Sequence, residues 1–146
     1  LRNSTPPLFP ILISLITNIS DSEEFLRLIS VLAGIASIPA IYFFAREFIK
    51  KYPASILALI VSVAPTQIKY SQEVREYALT FLLSTLILLF FVRYLKKLKV
   101  QDLILMTIFM VVGIFTQYGL SLLIIGLNII YLYLLIANKE KQVLLF

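Results

Sequence analysis

Cysteine and histidine are both absent from the 146 residues. Without cysteine there is no disulfide framework and no thiolate metal site, and nothing marks the redox compartment. Without histidine there is no imidazole general base, no imidazole metal ligand and no side chain that switches charge near neutral pH. Charge itself is scarce, at 14% of residues against roughly 25% in ordinary globular chains. The four glycines, Gly34, Gly113, Gly119 and Gly126, form no phosphate-cradling loop, and neither a zinc motif nor a nucleophile elbow occurs. Apolar residues fill the space instead: they make up 60% of the chain, and the mean hydropathy is +0.97. A sphere of this size has too little interior to hide so much apolar surface, so most of the chain reads as solvated by lipid.

The net charge of +5 and a pI near 9.5 would fit nucleic acid only if the basic residues gathered on one face. They fall instead in short clusters between apolar runs, which is a membrane-topology pattern. The fold class expected is therefore all-α: a polytopic transmembrane bundle of about five spans plus one interfacial helix. Residues 1–20 read as extracytoplasmic or interfacial, because the stretch from Leu8 to Ile19 is short and follows Pro6-Pro7, whereas a span needs roughly 20 apolar residues. Spans are expected over 25–48, 54–70, 77–95, 102–117 and 119–137, with Pro65 in the last turn of the second. Thr116-Gln117-Tyr118-Gly119 joins the last two as a tight hairpin. Gly34 with Ala33 and Ala36 points to close helix packing. Leu1 opens the chain without an initiator methionine and Val143 to Phe146 reads as the start of another apolar segment, so a fragment of a larger membrane domain is expected. No signal peptide pattern is present: the first apolar stretch has no basic leader and contains Pro10.

Charge placement sets the direction of the spans. Nine of the thirteen basic residues lie at alternate joins: Arg46, Lys50 and Lys51; Arg93, Lys96, Lys97 and Lys99; Lys139 and Lys141. The other ends hold Arg2, Arg27, Lys69 and Arg75, with Asp21, Glu23, Glu24, Glu73 and Glu76. The positive-inside rule assigns the first group to the cytoplasm. Pro6-Pro7, residues 21–27, residues 69–77 and residues 116–119 then share the extracytoplasmic face. The Asn3-Ser4-Thr5 and Asn18-Ile19-Ser20 sequons fall there too, although this triplet is common by chance.

The densest polar stretch is Lys69-Tyr70-Ser71-Gln72-Glu73-Val74-Arg75-Glu76-Tyr77. Read as a helix, it stacks Tyr70, Glu73 and Tyr77 on one face, with Gln72, Arg75 and Glu76 beside them. Lys69 and Arg75 stand near enough to bind a phosphate, for which the planar fork of arginine is well shaped. The same residue types are also ordinary at span ends, with aromatics at headgroup level and charges in water. Arg27 suits either substrate binding or a pair with Glu23. Pro6-Pro7 suits either a turn into the first helix or a shaped loop, and Gln117-Tyr118 either a hairpin tip or a ligand contact. Elsewhere aromatics such as Phe90-Phe91 read as packing or lipid-facing. Two or three carboxylates near an interface accommodate a divalent cation or none, so no metal ligand set and no cofactor is assigned.

The order Pro6-Pro7-Leu8, then Asp21-Ser22-Glu23-Glu24-Phe25-Leu26-Arg27-Leu28, then Tyr70-Ser71-Gln72-Glu73-Val74-Arg75-Glu76-Tyr77-Ala78-Leu79 resembles the membrane glycosyltransferases of GT-C fold. Within them it is most similar to the protein O-mannosyltransferase-like group (glycosyltransferase family 39-like), including the RgtA/B/C/D-like domain of bacteria and archaea. Members of that group often read P-P-L, G-x-S-E-x-x-x-R-L and Y-S-Q-E-x-R-x-Y-A-L, and Thr116-Gln117-Tyr118 looks like their later T-x-Y. The resemblance runs from Pro6 to about Ala137. Asp21 stands where a glycine is usual, and Glu73 and Glu76 are the acids where many relatives carry an aspartate.

The resemblance implies transfer of a sugar, mannose or a similar hexose, from a polyprenyl- or dolichyl-phosphate donor to a protein, lipid or glycan acceptor on the extracytoplasmic face. An acidic residue in the first extracytoplasmic loop is the expected general base. That loop would precede Leu1, which leaves Glu73 as the candidate within these residues. Lys69, Tyr70, Gln72, Glu73, Arg75, Tyr77 and Arg27 are the expected donor-binding residues, and Pro6, Pro7, Gln117 and Tyr118 the loop-shaping ones. The partners implied are the lipid-linked donor, the acceptor and membrane lipid, in a multi-pass cell-membrane protein without nucleic acid. Two rival readings are a transporter or flippase bundle, which calls for charges near midplane and broken helices, and a non-catalytic membrane subunit.

Overall fold

Seven helices make up a computed structural model that describes residues 6–17 and 22–143: α1 (Leu8–Thr17), α2 (Glu23–Arg46), α3 (Lys51–Ser62), α4 (Pro65–Gln72), α5 (Tyr77–Lys97), α6 (Val100–Thr116) and α7 (Leu120–Val143). No strand occurs among the described residues. The all-α expectation holds, with long apolar runs closing their backbone hydrogen bonds internally, as lipid requires. Among the described residues three helices are long and apolar enough to cross a membrane: Glu24–Arg46, Tyr77–Lys97 and Leu120–Ala137, with mean hydropathies of 2.1, 2.1 and 2.4. The apolar helices α3 and α6 are shorter.

α2 and α5 run parallel. Buried Ser30 near the start of α2 donates to the Arg75 carbonyl just ahead of α5 (3.1 Å), and Glu47 at the end of α2 meets Lys96 at the end of α5 (3.4 Å). The face that α2 turns inward is a stripe of small side chains, Ser30, Ala33, Gly34, Ser37, Ala40 and Ala45, widened only by Ile41. Small residues at this spacing bring neighbouring helices close, which is how packing is gained where lipid removes the hydrophobic drive. Ala36, expected in this contact, faces outward.

α6 returns antiparallel to α5. The Phe90 and Phe109 rings stack at 5.7 Å, and Arg93 reaches buried Asp102 at 3.4 Å. Ile87, Phe91 and Leu127 form the core among α5, α6 and α7. Most large apolar side chains of α7 remain exposed, including Leu122, Ile129, Leu132 and Tyr133. Apolar surface on that scale belongs against lipid or further protein.

The stretch expected to run unbroken from 54 to 70 is two helices. Ala64 is extended (φ −64°, ψ 129°) and Pro65 opens α4 instead of ending α3. A proline ring disfavours helical backbone at the residue before it, while its missing N–H costs nothing in a first turn. Because α2 and α5 are parallel, α3 and α4 together make the return leg. The starts of α2, α5 and α7 and the ends of α4 and α6 therefore meet at one end of the bundle.

Candidate functional site

That end is organised by a polar seam between α2 and α4. Ser30, Gly34 and Ser37 recur every three or four residues along α2 and all are buried. Gln67 donates its amide to the Ser37 hydroxyl (2.6 Å) and to the Gly34 carbonyl (3.3 Å), and Ser37 donates to the same carbonyl (2.7 Å). Ser71, which donates to the Gln67 carbonyl (2.7 Å), fills the space that a side chain at Gly34 would occupy. Every buried polar atom on the seam is thereby engaged by a neighbour, the condition under which such groups cost little. Together these contacts hold α4 flat against α2.

The helix stops at Gln72 because Glu73 is extended (ψ 140°). The connector from Glu73 to Glu76 then turns tightly, with Arg75 N–H donating to the Glu73 carbonyl (2.9 Å), and its position is held by Ser30. Tyr70, Glu73 and Tyr77 do not share one helical face, since no helix continues through them. Tyr70 and Tyr77 nevertheless meet, their rings 5.0 Å apart and inclined by 54°, because the turn brings the start of α5 back to the end of α4. The Arg75 guanidinium lies 5.8 Å from the centre of the Tyr77 ring and reaches its hydroxyl at 3.5 Å.

On one side of the connector, Arg27, Lys69, Gln72 and Glu73 line an open cavity of about 600 Å³ with Pro65 and Ile68. A second hollow joins Arg27, Gln72 and Glu73 to Arg75. Lys69 and Glu73 are 3.9 Å apart, and both are partly in solvent. Arg27, Lys69 and Arg75 thus line these hollows beside the Glu73 carboxylate, and guanidinium and ammonium groups so placed suit an anion. On the other side, Tyr70, Tyr77, Phe81, Val61 and Ala64 wall a cavity of about 500 Å³ whose polar groups include Gln67, Thr80 and Gln117. The Thr80 hydroxyl is buried there without a hydrogen-bond partner.

The expected donor residues Arg27, Lys69, Tyr70, Gln72, Glu73, Arg75 and Tyr77 all lie around this connector. Gln117, from the α6–α7 turn, joins them. Tyr118 is half-exposed and lines neither cavity, and its carbonyl accepts from Ser121 at the start of α7. Pro6 and Pro7 are likewise outside the cavities; the Pro7 carbonyl accepts the Ile11 N–H and starts α1. Asp21, the sequons at Asn3 and Asn18, and the Glu23 side chain lie outside the described residues. Among the described residues no group of three carboxylates is placed to hold a metal ion.

Ser30, Ser37 and Gln67, which position the connector, carry no signal that sets them apart in the sequence. The recurrence of small polar residues on one face of α2 is the available clue. No curated protein and no solved structure matches the chain. A model of one family does, over residues 4–145, which is nearly its whole length. This protein, a helical membrane domain of glycosyltransferase type, belongs to the dolichyl-phosphate-mannose-protein mannosyltransferase family.

Proposed function

We propose that this chain holds the donor site of a multi-pass membrane enzyme that moves one hexose from a polyprenyl-phosphate to an acceptor hydroxyl on the extracytoplasmic face. One observation carries the reading: Arg27, Lys69 and Arg75 line hollows at the same bundle end where tyrosines wall an apolar cavity. A lipid-linked donor needs this pairing, since its tail stays in the bilayer while its phosphate sits at headgroup level. The acceptor oxygen attacks the anomeric carbon, and the bond from that carbon to the phosphate oxygen breaks. The lipid phosphate leaves with the bonding electrons, and its developing charge is met by the guanidinium groups. The acceptor proton passes to a carboxylate base. Glu73, facing Lys69, suits holding that lysine in place better than taking the proton, so the base is assigned to the loop expected ahead of Leu1. Nine of thirteen basic residues at the opposite joins support the extracytoplasmic assignment.

The test is sugar transfer by the full-length protein in liposomes, with polyprenyl-phosphate mannose, polyprenyl-phosphate glucose and nucleotide sugars offered separately. Transfer from a lipid-linked donor is the expected result. Transfer from nucleotide sugars alone, or lipid movement between leaflets without transfer, would overturn the reading.

A further inference from the structure

The opposite end of the bundle presents a second charged surface. The contact between Lys96 and Glu47 brings the α2–α3 turn beside the α5–α6 turn, and the Lys96 ammonium lies 5.2 Å from the centre of the Phe48 ring. Among the side chains described there, the two carboxylates are engaged, Glu47 by Lys96 and Asp102 by Arg93. Lys50, Lys51, Lys97 and Lys99 are exposed, and no carboxylate pairs with them among the described residues.

Large apolar side chains interleave these lysines. Phe48 (62% exposed) and Tyr52 (82%) flank Lys50-Lys51, and Leu98 (69%) and Val100 (66%) flank Lys99. Leu98 is the one described non-glycine residue with left-handed backbone (φ 49°), a conformation that leucine adopts only at a cost. The turn thus holds an exposed leucine between two lysines where glycine would fit more easily. A soluble acidic partner would use the charges, but it gives no reason for the greasy residues among them. A leaflet surface uses both: ammonium groups meet phosphates while the aromatic and aliphatic groups enter the interfacial layer.

We infer that the α2–α3 and α5–α6 turns together form a binding rim for anionic phospholipid headgroups, at the end of the bundle away from the Arg75 connector. The rim takes its selectivity from Lys50, Lys51, Lys97 and Lys99. Its apolar residues set the depth at which these lysines meet the phosphates. This inference is independent of the reaction proposed above.

The experiment is native mass spectrometry of the purified full-length protein in detergent, given equal amounts of phosphatidylglycerol and phosphatidylcholine. The wild type is expected to retain phosphatidylglycerol preferentially, and soluble glycerol phosphate in excess is expected not to displace it. Changing the four lysines to glutamine should abolish the preference, with about fivefold lost per lysine, while the matching arginine variant keeps it. Equal retention of the two lipids by the wild type would overturn the inference and leave the rim to an acidic protein segment. An undiminished preference in the glutamine variant would overturn it too, as would displacement by glycerol phosphate. Both variants change exposed side chains, and a thermal melt matching the wild type confirms that they fold.

Discussion

Ser71 rests against the bare backbone of Gly34, with its Cβ 2.8 Å from where a β-carbon on residue 34 would stand. The seam between α2 and α4 depends on this contact, and the connector that carries Arg75 depends on the seam. Gly34→Ala is expected to push α4 away from α2 and to lower stability by about 1–3 kcal/mol, the usual cost of an overfilled contact. The better helix propensity of alanine offsets less than about 1 kcal/mol of that. Adding Ser71→Gly removes the clashing atoms and should recover part of the loss. Thermal melts of the full-length protein and both variants check this; an unchanged melting temperature for Gly34→Ala would show that the helices do not touch here.

Arg75 is the side chain on which the donor assignment turns. Arg75→Ala is expected to lower kcat/KM for the lipid-linked donor by on the order of 10- to 100-fold, the range for losing a charge-assisted hydrogen bond. Arg75→Lys should restore only part of it, because a point charge lacks the two-pronged geometry. Initial rates across donor concentrations measure the effect. Kinetics equal to wild type would remove Arg75 from the site.

The absence of cysteine in these residues makes sidedness measurable. Gln72→Cys, at the end of α4, should react with a membrane-impermeant maleimide added outside intact cells. Lys51→Cys, at the opposite end of the bundle, should react only after the membrane is opened. The reverse pattern would place the connector in the cytoplasm and end the proposed reaction scheme.

Arg93 and Asp102 differ in what each loses when the other goes. Asp102 is buried, whereas the Arg93 side chain is about a third exposed (36%). Arg93→Ala strands a carboxylate with no water to turn to, at a cost on the order of 3 kcal/mol. Asp102→Ala leaves a guanidinium that reaches solvent, and exposed partners lose far less. The double variant should therefore melt close to Asp102→Ala. Equal destabilisation by the two single changes would show that the pair is not asymmetric in burial.

Much of this arrangement is readable from the chain alone, because charge and hydropathy act locally. Arg27, Lys69, Arg75 and Gln117 share one bundle end because the apolar runs between them have the lengths that they do. A helical repeat pairs Tyr70 with Tyr77 on paper, yet it is the turn at Glu73 that brings them together. The break at Ala64 is easily misplaced because a proline near the end of an apolar run looks like a terminator, and only the extended Ala64 backbone shows that it starts a helix. The roles of Ser30, Ser37 and Gln67 are hidden for another reason. Each is unremarkable in an apolar helix, and its partner lies 30 or more residues away. Contacts at that separation arise from packing, which no local pattern encodes.

The shared heading of α2 and α5 leaves α3, in the two-piece return between them, as the part of the bundle freest to change in length. The α2–α4 seam and the Ser30 contact pin α4 and its connector to α2 and α5, so a residue added to or removed from α3, about 1.5 Å of helix, has to be absorbed at the Ala64 break or in the α2–α3 turn. The arginine–tyrosine turn keeps its height on the bundle through such changes, because Ser30 and the start of α5 fix it. Relatives are expected to vary the length of that leg before they vary the turn.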